Sequence, residues 1–372
     1  MTETEATVAL NMVSGVGSVT FSRLYEYFGS VEAVLNASED ALTRVQDIGP
    51  KLAHAIRHWE DETSLATELA AVEKAGVRLL LWKDEEYPRT LKKIENPPFI
   101  LYVKGKLLPQ DENSIAIVGS RLCTLYGQSV TKNLATGLAY AGVTVVSGGA
   151  RGIDTAAHKS ALDVGGRTIV VCGNGLNVTY PAENLDLFKR VAENGAVISQ
   201  FPMGLRGSVG TYPIRNRIVA GMTQGTVVVE AGVTSGAMIT ARMATELNKQ
   251  VFAVPGRVDS PRSGGCHKLI KEGARLCETV EDIFSEFRGW GKCSVAEQPE
   301  LSLGSQGGSA LAVQLSADEQ RVFDTLNNGE QHLDAIVQLS GLQINVVQTA
   351  VMSLTFKQCV EMLPGKIYRK KR

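Results

Sequence analysis

One sequence feature, residues 114–151, constrains the fold of this 372-residue chain more than any other. It contains two apolar runs that end abruptly at glycine-rich turns, the first beginning at Gly119 and the second at Gly148. An apolar run followed by a helical period is typical of a buried parallel strand that leads into a helix. Glycines let the backbone turn tightly with its N–H groups outward, and the next helix adds its positive N-terminal end. Because Arg121 and Arg151 lie in the two turns, the pattern predicts a site for a phosphate-bearing ligand.

The alternation of strand and helix signals continues to about residue 287. Further apolar runs lie at 168–173, 196–199, 226–230 and 251–255. Continuous apolar strands separated by helices predict an α/β fold, with a doubly wound, extended Rossmann-like parallel sheet covered on both faces. Ligands of such sheets bind at the carboxyl ends of the strands, which is where the glycine-rich turns fall.

The N-terminal region, residues 1–75, carries only helical patterns. Its two short turns, at 14–18 and 47–51, are typical of an all-helical helix-hairpin-helix (SAM-like) domain. Two interpretations of these turns stay open. Either their backbone N–H groups hold a nucleic-acid phosphate, or they are ordinary helix–helix connections in a packing domain.

The rest of the chain divides by composition. Residues 76–289 form the predicted extended Rossmann-like domain, and its first part, 76–105, predicts two strands that extend the edge of the sheet. Residues 290–313 are polar, rich in glycine and serine and aperiodic, which indicates a flexible linker. Residues 314–372 predict three helices and a hairpin, the pattern of a winged helix. Its third helix carries little charge, which argues against reading of the major groove.

Composition excludes several classes of protein. Lys and Arg together number 38 and Asp and Glu 39, so a nucleic-acid surface has to be local. The six cysteines show no CxxC spacing, and Cys266-His267 has no second pair, so we expect neither disulfides nor a metal site. Neither GxGxxG nor a Walker A motif occurs, so no cofactor is expected. With no leader peptide and no apolar run long enough for a membrane, the protein is expected to be cytoplasmic.

The segment 195–229 holds no acidic residue but three arginines, Arg206, Arg215 and Arg217. Two of them, with Asn216, fall in the first turn of a predicted helix. A phosphate there gains charge-assisted hydrogen bonds and the favourable end of the helix dipole. Phe201 and Tyr212 are close in sequence and are candidates for stacking on bases. A second interpretation stays open, in which these arginines pair with buried carboxylates such as Glu230.

Three titratable residues near the turns are candidates for structural roles. Asp154 is predicted to be the N-cap of the helix that carries His158. We expect His158 to be structural, because the spacing reveals no nucleophile or partner for a general base. Glu230, at the end of an apolar strand, is expected to orient Arg217. No catalytic residue is predicted.

Several motifs together resemble those of the DNA-processing protein A (DprA/Smf) family, over roughly residues 76–287. They are GSR at 119–121, SGGARGIDTAAH at 147–158, YPAEN at 180–184, RNRIVAG at 215–221, and EAG at 230–232 followed by Ser235-Gly236. The helical domain and the winged helix agree with the longer members of that family.

The resemblance implies a bacterial, cytosolic protein that binds single-stranded DNA and is not an enzyme. It implies that the protein protects incoming DNA and loads RecA recombinase onto it during natural transformation, and that it forms a homodimer through the Rossmann domain. The motifs and the residue-based candidates together predict a DNA site of Gly119, Ser120, Arg121, Gly148, Gly149, Arg151, Phe201, Arg206, Arg215, Asn216, Arg217, Ser235 and Gly236.

Two other functions compete with this one. The fold also resembles the nucleotide phosphoribohydrolases of the lysine-decarboxylase-like type, which hold phosphate on glycine-rich turns beside an Arg and a Glu. Their PGGxGT loop is missing, and residues 230–236 stand in its place. Release of a free base from a nucleoside monophosphate would indicate this alternative. A regulator that binds duplex DNA through the winged helix is disfavoured by the weakly charged third helix.

Overall fold

The computed structural model describes residues 1–287, 317–356, 359–363 and 367–370. The chain divides into two compact units, Met1–Val295 and Ala296–Arg372, and each is described by itself. The linker expected at 290–313 lies outside the described residues, and the domain boundaries stay predictions. In the described part of the chain, no helix combines the length and the apolar character that crossing a membrane requires.

The first unit begins with seven helices packed around one apolar core. They are α1 Glu3–Met12, α2 Ser18–Phe28, α3 Val31–Asn36, α4 Glu39–Leu42, α5 Pro50–Arg57, α6 Trp59–Glu62 and α7 Leu65–Ala75. Gly17 and Gly49 are the N-caps of α2 and α5, and Pro50 occupies the first turn of α5, where its missing N–H costs nothing. The two predicted hairpins therefore connect α1 to α2 and α4 to α5, as expected.

A nine-stranded sheet forms the centre of the described residues of this unit. Its strands are β1 Arg78–Leu81, β2 Ile100–Gly105, β3 Ser114–Val118, β4 Thr144–Ser147, β5 Thr168–Val171, β6 Ala196–Ser199, β7 Gly225–Val228, β8 Gln250–Ala253 and β9 Arg275–Leu276. Their order is β1-β2-β6-β5-β4-β3-β7-β8-β9. The strands from β3 to β9 are parallel, and β2 joins β6 antiparallel as the predicted extension of the edge. The two-residue β9 was not predicted, because it is exposed and lacks an apolar run.

Helices cover both faces of the sheet. They are α8 Arg89–Lys92, α9 Leu125–Tyr140, α10 Ile153–Asp163, α11 Leu185–Asn194, α12 Thr211–Met222, α13 Gly236–Glu246, α14 Gly264–Lys271 and α15 Val280–Phe284. Alternate residues of β3 point to opposite faces: Ile115 and Ile117 pack with α9 and α10, and Ala116 and Val118 pack with α12 and α13. Both faces are buried, which explains why the strand is continuously apolar.

The order of the strands creates a switch point beside β3. The chain runs from β3 outward through β4, β5 and β6, and then returns through α12 to place β7 on the other side of β3. The loops that follow β3 and β7 therefore diverge and leave a crevice at the carboxyl ends of these strands. Open α/β sheets bind ligands in such crevices.

The second unit has the predicted winged-helix architecture. Its described elements are α16 Ala317–Thr325, α17 Leu333–Ser340, α18 Ile344–Phe356, β10 Gln331–His332, β11 Val360–Leu363 and β12 Ile367–Lys370. β12 lies between β10 and β11 and pairs antiparallel with both. The short β10 was not predicted. α18, the third helix, contains no charged residue at all, which strengthens the argument against reading of the major groove.

Candidate nucleic-acid interface

A cavity of about 500 Å³ lies at the switch point. Four segments line it: the turn after β3, the turn after β4 with the start of α10, the first half of α12, and the first half of α13. Of the thirteen predicted site residues, eight line this cavity: Gly119, Ser120, Arg121, Gly148, Arg215, Asn216, Ser235 and Gly236. Residues that are up to 117 positions apart in sequence therefore meet at one place.

The turns after β3 and β4 are held against one another by their backbones. The N–H of Ser120 donates to the carbonyl of Glu230 (2.7 Å), and the N–H of Ile153 donates to the carbonyl of Ser120 (3.2 Å). Gly152 has a φ of +76°, and a Cβ at this position would collide with the carbonyl oxygen of Ser120. Only glycine satisfies both the conformation and the close approach, so this glycine fixes the shape of the cavity floor.

Arg215 lies beneath the cavity instead of projecting into it. Its side chain is buried, and the residue is only 6% exposed. The guanidinium donates to the carbonyl oxygens of Gly148 and Val171 and to Oδ1 of Asn216, the last two at 2.8 and 3.0 Å. A Cβ at Gly148 would collide with Nη1 of Arg215, so the absence of a side chain there makes room for the guanidinium.

The charge partner of Arg215 is Asp154. This carboxylate is buried and accepts a hydrogen bond from the N–H of Ala150 at 3.2 Å. Burial raises the pKa of Asp154, and the Arg215 guanidinium counteracts that effect. Burial likewise lowers the pKa of Arg215, and Asp154 opposes it. The two charges thus compensate each other inside the protein.

The predicted N-cap role of Asp154 is wrong. The helix α10 begins at Ile153, and its N-cap residue is Gly152. Asp154 instead reaches back to the turn after β4 and pairs electrostatically with Arg215. Arg215 and Asp154 influence each other electrostatically without forming a direct salt bridge, and Glu230 contacts Thr124 instead. The interpretation in which these arginines pair with Glu230 is therefore wrong.

Several groups lining the cavity are open to a ligand. Arg121 is exposed, and within the described ranges it makes no ion pair. The Oγ of Ser235 is buried without a hydrogen-bond partner. Neither α12 nor α13 has a side-chain cap, and the positive ends of both helices face the cavity. In the first turn of α12 the N–H groups of Thr211 and Tyr212 already donate to the carbonyl of Ser208, and Pro213 has no N–H, so this helix contributes its dipole and not free donors. A cation, a hydroxyl and two helix N-termini together favour a phosphate.

Aromatic and apolar side chains form one edge of the cavity. The Arg121 guanidinium lies 5.5 Å and the Arg215 guanidinium 5.9 Å from the centre of the Tyr212 ring. The ring of Tyr180, which is 45% exposed, lies 6.3 Å from that of Tyr212. Val209 is almost fully exposed beside them. Such an edge suits the flat faces of nucleic-acid bases.

Five predicted site residues do not line the cavity: Gly149, Arg151, Phe201, Arg206 and Arg217. Arg151 forms a two-point ion pair with Glu183 on the surface. Arg217 donates to the carbonyl of Glu95. The ring of Phe201 is buried, so it offers no face for stacking on a base.

The remaining two of these five lie in different surroundings. Gly149 faces the interior, where a Cβ would lie 2.7 Å from Phe188. Arg206 is exposed and, among the residues that the structure describes, has no ion-pair partner. Arg206 thus keeps a charge available for a flanking phosphate.

The predicted link between Glu230 and Arg217 is also wrong. The carboxylate of Glu230 accepts hydrogen bonds from the N–H and the Oγ1 of Thr124, at 2.8 and 2.6 Å. Thr124 is the N-cap of α9, whose N–H at Gly127 donates to the Thr124 hydroxyl at 3.1 Å. Glu230 therefore orients the start of α9 and not a phosphate ligand.

The other titratable candidates have structural positions. His158 is fully buried, and its Nδ1 lies 2.7 Å from Oγ1 of Thr168. Burial lowers the pKa of His158 to about 3, so the ring is neutral at physiological pH. Cys266 contacts carbonyl oxygens within the core, and His267 contacts the carbonyl of Gly256 at 3.0 Å, so the two do not converge on one point.

Sequence reasoning missed three contributions to this site. The pairing of Asp154 with Arg215 joins residues on α10 and α12, and no local pattern links them. Tyr180 belongs to the YPAEN motif, but the sequence analysis does not predict it as a site residue. Its position after an apolar strand and a glycine-rich turn indicates a place near the ligand-binding end of the sheet. The exposed Val209 lies in a loop that has no periodicity.

Comparisons of the sequence place the chain in a family. Residues 78–288 match the model of DNA recombination-mediator protein A, residues 8–57 that of a SAM-like helix-hairpin-helix tandem, and residues 309–366 that of a DprA winged helix domain. Protein Smf from Synechocystis sp. is 31% identical over 389 residues, which cover 98% of each chain. The chain belongs to the DNA recombination-mediator protein A (DprA/Smf) family, as its motifs predicted.

Solved structures agree with this assignment. The X-ray structure of DNA processing protein A from Streptococcus pneumoniae is 33% identical and covers 76% of this chain and 98% of its own, with a TM-score of 0.67. DNA processing protein A from Helicobacter pylori, which has a described single-stranded DNA binding mode, is 28% identical with a TM-score of 0.51. That match covers 57% of this chain and 96% of the other. The predicted fold class is confirmed.

Proposed function

We propose that this protein binds single-stranded DNA at the switch-point cavity, protects incoming DNA and loads RecA recombinase onto it during natural transformation. The observation that carries the proposal is the composition of the cavity. An unpaired Arg121, an unsatisfied hydroxyl at Ser235 and two uncapped helix N-termini surround a space that is edged by aromatic rings. Membership of the family and the described binding mode of the Helicobacter pylori protein support it.

The electrostatics of the cavity favour a polyanion. Of the described residues that line it, Asp154 is the only acid, and the neighbouring Arg215 compensates its charge. A phosphate entering near Arg121 therefore meets one uncompensated cation and the positive ends of two helices. Each further phosphate of the same strand can contact exposed arginines outside the cavity, of which Arg206 is the nearest in sequence to α12. Affinity should then depend on salt and not on base sequence.

The aromatic edge supports a preference for a single strand. Bases stack on aromatic side chains only when they are unpaired and can be splayed outward. Tyr212 lines the cavity with a half-buried ring, and the exposed ring of Tyr180 lies beside it. A duplex keeps its bases stacked inside, so it gains only the phosphate contacts. We therefore expect duplex DNA to bind much more weakly.

A binding role is favoured over an enzymatic one by the state of the groups below the cavity. Burial raises the pKa of the Cys172 thiol to about 12, so it is not a thiolate at neutral pH. The pKa of His158 is too low, and the ring too deeply buried, for a general base. Asp154 is held by its interaction with Arg215. These groups support the fold of the site and do not activate a substrate.

The proposal is tested by fluorescence anisotropy of the purified protein with labelled oligo-dT and a matched duplex, across a salt series. We expect salt-dependent binding of the single strand and much weaker binding of the duplex. Equal binding of both would contradict the role of the aromatic edge. No binding of either, with release of free base from a nucleoside monophosphate, would favour the phosphoribohydrolase alternative.

The finer parts of the proposal have separate assays. RecA loading predicts that the protein shortens the lag of RecA's DNA-dependent ATPase on single strands coated with single-strand-binding protein. Protection predicts slower digestion of oligo-dT by a nuclease. The proposed homodimer through the Rossmann domain predicts twice the chain mass of 39.9 kDa in light scattering.

A further inference from the structure

Three side chains of the helical region converge at a place that the proposed function does not use. Glu39 is the first residue of α4, His54 lies on α5, and His58 directly follows α5. Oε1 of Glu39 lies 2.9 Å from Nδ1 of His54 and 3.4 Å from Nε2 of His58. One donor atom from each residue lies within 4.8 Å of the other two.

The spacing explains this convergence. His54 and His58 are four residues apart, which places them on the same face one helical turn from each other. Their ring centres are 4.4 Å apart. Glu39 comes from the preceding helix, because the connection between α4 and α5 folds the chain back on itself. Two imidazoles and a carboxylate thus approach a common point from two helices.

The fourth residue, Asp61, holds the far side of one imidazole. Its Oδ2 lies 3.4 Å from Nδ1 of His58, the nitrogen that faces away from Glu39. Histidines that ligate metals commonly donate their other N–H to a carboxylate, which fixes the tautomer and makes the ligating nitrogen more basic. The arrangement here directs the basic Nε2 of His58 toward the common point.

We propose that Glu39, His54 and His58 bind one divalent transition-metal ion of the Zn²⁺ type. Neutral imidazole nitrogens and a carboxylate oxygen are ligands of borderline softness, which suit Zn²⁺ and its neighbours better than Mg²⁺ or Ca²⁺. Bond lengths of about 2.0–2.2 Å imply ligand atoms roughly 3.3 Å apart around a tetrahedral ion. The separation of 3.4 Å between Glu39 and His58 matches that edge, whereas the 2.9 Å between Glu39 and His54 is a hydrogen bond that the ion would have to widen.

The site is open to solvent on one side. The side chains of Glu39, His54 and His58 are 42%, 63% and 46% exposed. Three protein ligands and a water molecule therefore complete the tetrahedron, and the ion exchanges readily with the solution. This exposure predicts moderate affinity, well below that of a closed structural zinc site.

Binding would have a definite structural consequence. The ion would connect α4 to α5 across the connection 43–49, which carries the second helix hairpin. Because a ligand that binds only the folded arrangement stabilises it, hydrogen exchange in this connection should slow when Zn²⁺ is added. The competing explanation is that the cluster is only a surface ion-pair network, which would show no response to Zn²⁺.

The test is titration of the tag-free, full-length protein with Zn²⁺ by isothermal calorimetry. We expect one ion per chain, at least tenfold weaker binding after Glu39→Gln or His58→Ala, and about tenfold weaker binding after Asp61→Asn. The matched control is His332→Ala, which removes an exposed histidine whose single carboxylate neighbour among the described residues is Asp334, at 3.4 Å. This variant should leave the isotherm unchanged.

Because the three ligands are exposed, their variants should keep the fold, which circular dichroism will check. Slower exchange of 43–49 with Zn²⁺ in the wild-type protein, absent in His58→Ala, would support the site independently of calorimetry. Identical isotherms for the wild-type protein, Glu39→Gln and His58→Ala would overturn the proposal, because any bound Zn²⁺ would then lie elsewhere.

Discussion

Replacement of Arg215 by methionine should destabilise the first unit strongly, since this arginine is a buried support and not a surface contact. Arg215→Met keeps a similar length but removes the donors to the carbonyls of Gly148 and Val171. It also leaves the buried Asp154 carboxylate without its cation. Leaving a buried charge uncompensated costs about 3–5 kcal/mol. At about 2–4 °C per kcal/mol, the melting temperature should fall by roughly 6–20 °C.

The pH dependence identifies the cause of this loss. Burial already raises the pKa of Asp154, and removing Arg215 removes the group that opposes this rise. A carboxyl group whose pKa is higher in the folded than in the unfolded chain binds more protons when folded. The free energy of unfolding therefore falls as the pH rises from the unfolded pKa through the folded one. The loss of the two carbonyl hydrogen bonds does not depend on pH, so the penalty of Arg215→Met should persist near pH 4 and be larger at about pH 7, where Asp154 is charged.

Scanning calorimetry at the two pH values measures this effect. The surface control is Arg190→Met, which breaks an exposed pair with Asp163 and should change the melting temperature little. In the double variant Arg215→Met/Asp154→Asn the unpaired charge is gone, so the loss should be smaller than the sum of the single changes. A penalty that is independent of pH and strictly additive with Asp154→Asn would refute the reasoning.

Three further predictions concern the cavity. Tyr212→Ala should weaken oligo-dT binding by about 5- to 150-fold, because one stacked base contributes about 1–3 kcal/mol. Tyr212→Phe keeps the ring and should bind nearly as the wild type, so equal affinity of the two variants would contradict stacking. Ser235→Ala should weaken binding about two- to tenfold in the same anisotropy assay, since a hydrogen bond from a hydroxyl to a phosphate contributes about 0.5–1.5 kcal/mol. The melting temperature of this variant should not change, and a lower melting temperature with unaltered affinity would instead assign the hydroxyl to the stability of the fold. Gly148→Ala should lower the melting temperature, because its Cβ would displace the Arg215 guanidinium. A melting temperature equal to that of the wild type would show that the guanidinium has room to move.

The sheet and its turns were predictable from the sequence because their causes are local. Ile115 and Ile117 alternate with Ala116 and Val118 in a strand buried on both faces, and that burial leaves a continuous apolar run that any reader of the sequence can find. Glycine-rich turns mark the strand ends for equally local reasons. β9 was not predictable, because a strand of two exposed residues has no apolar pattern and forms only through its hydrogen bonds to β8.

The roles of individual charged residues were not predictable in the same way. Arg215 and Arg217 are two residues apart on one helix, yet one is buried and donates to the carbonyl of Val171, and the other donates to the carbonyl of Glu95. Helical spacing of this kind places them on different sides, but only the tertiary packing decides which side is the interior. The pair His54 and His58 is similar, because its spacing can be read from the sequence, whereas the approach of Glu39 depends on the fold of the connection between α4 and α5.

The central claim, that single-stranded DNA binds at the switch-point cavity, is tested most directly by Arg121→Ala. Anisotropy with oligo-dT over a salt series compares it with Arg190→Ala, whose arginine is exposed but already paired with Asp163. Loss of a charge-assisted contact of about 1.5–3 kcal/mol predicts a roughly 10- to 150-fold weaker affinity for Arg121→Ala. It also predicts a salt slope lower by about 0.7, with the control unchanged. Wild-type affinity and slope for Arg121→Ala would contradict the account.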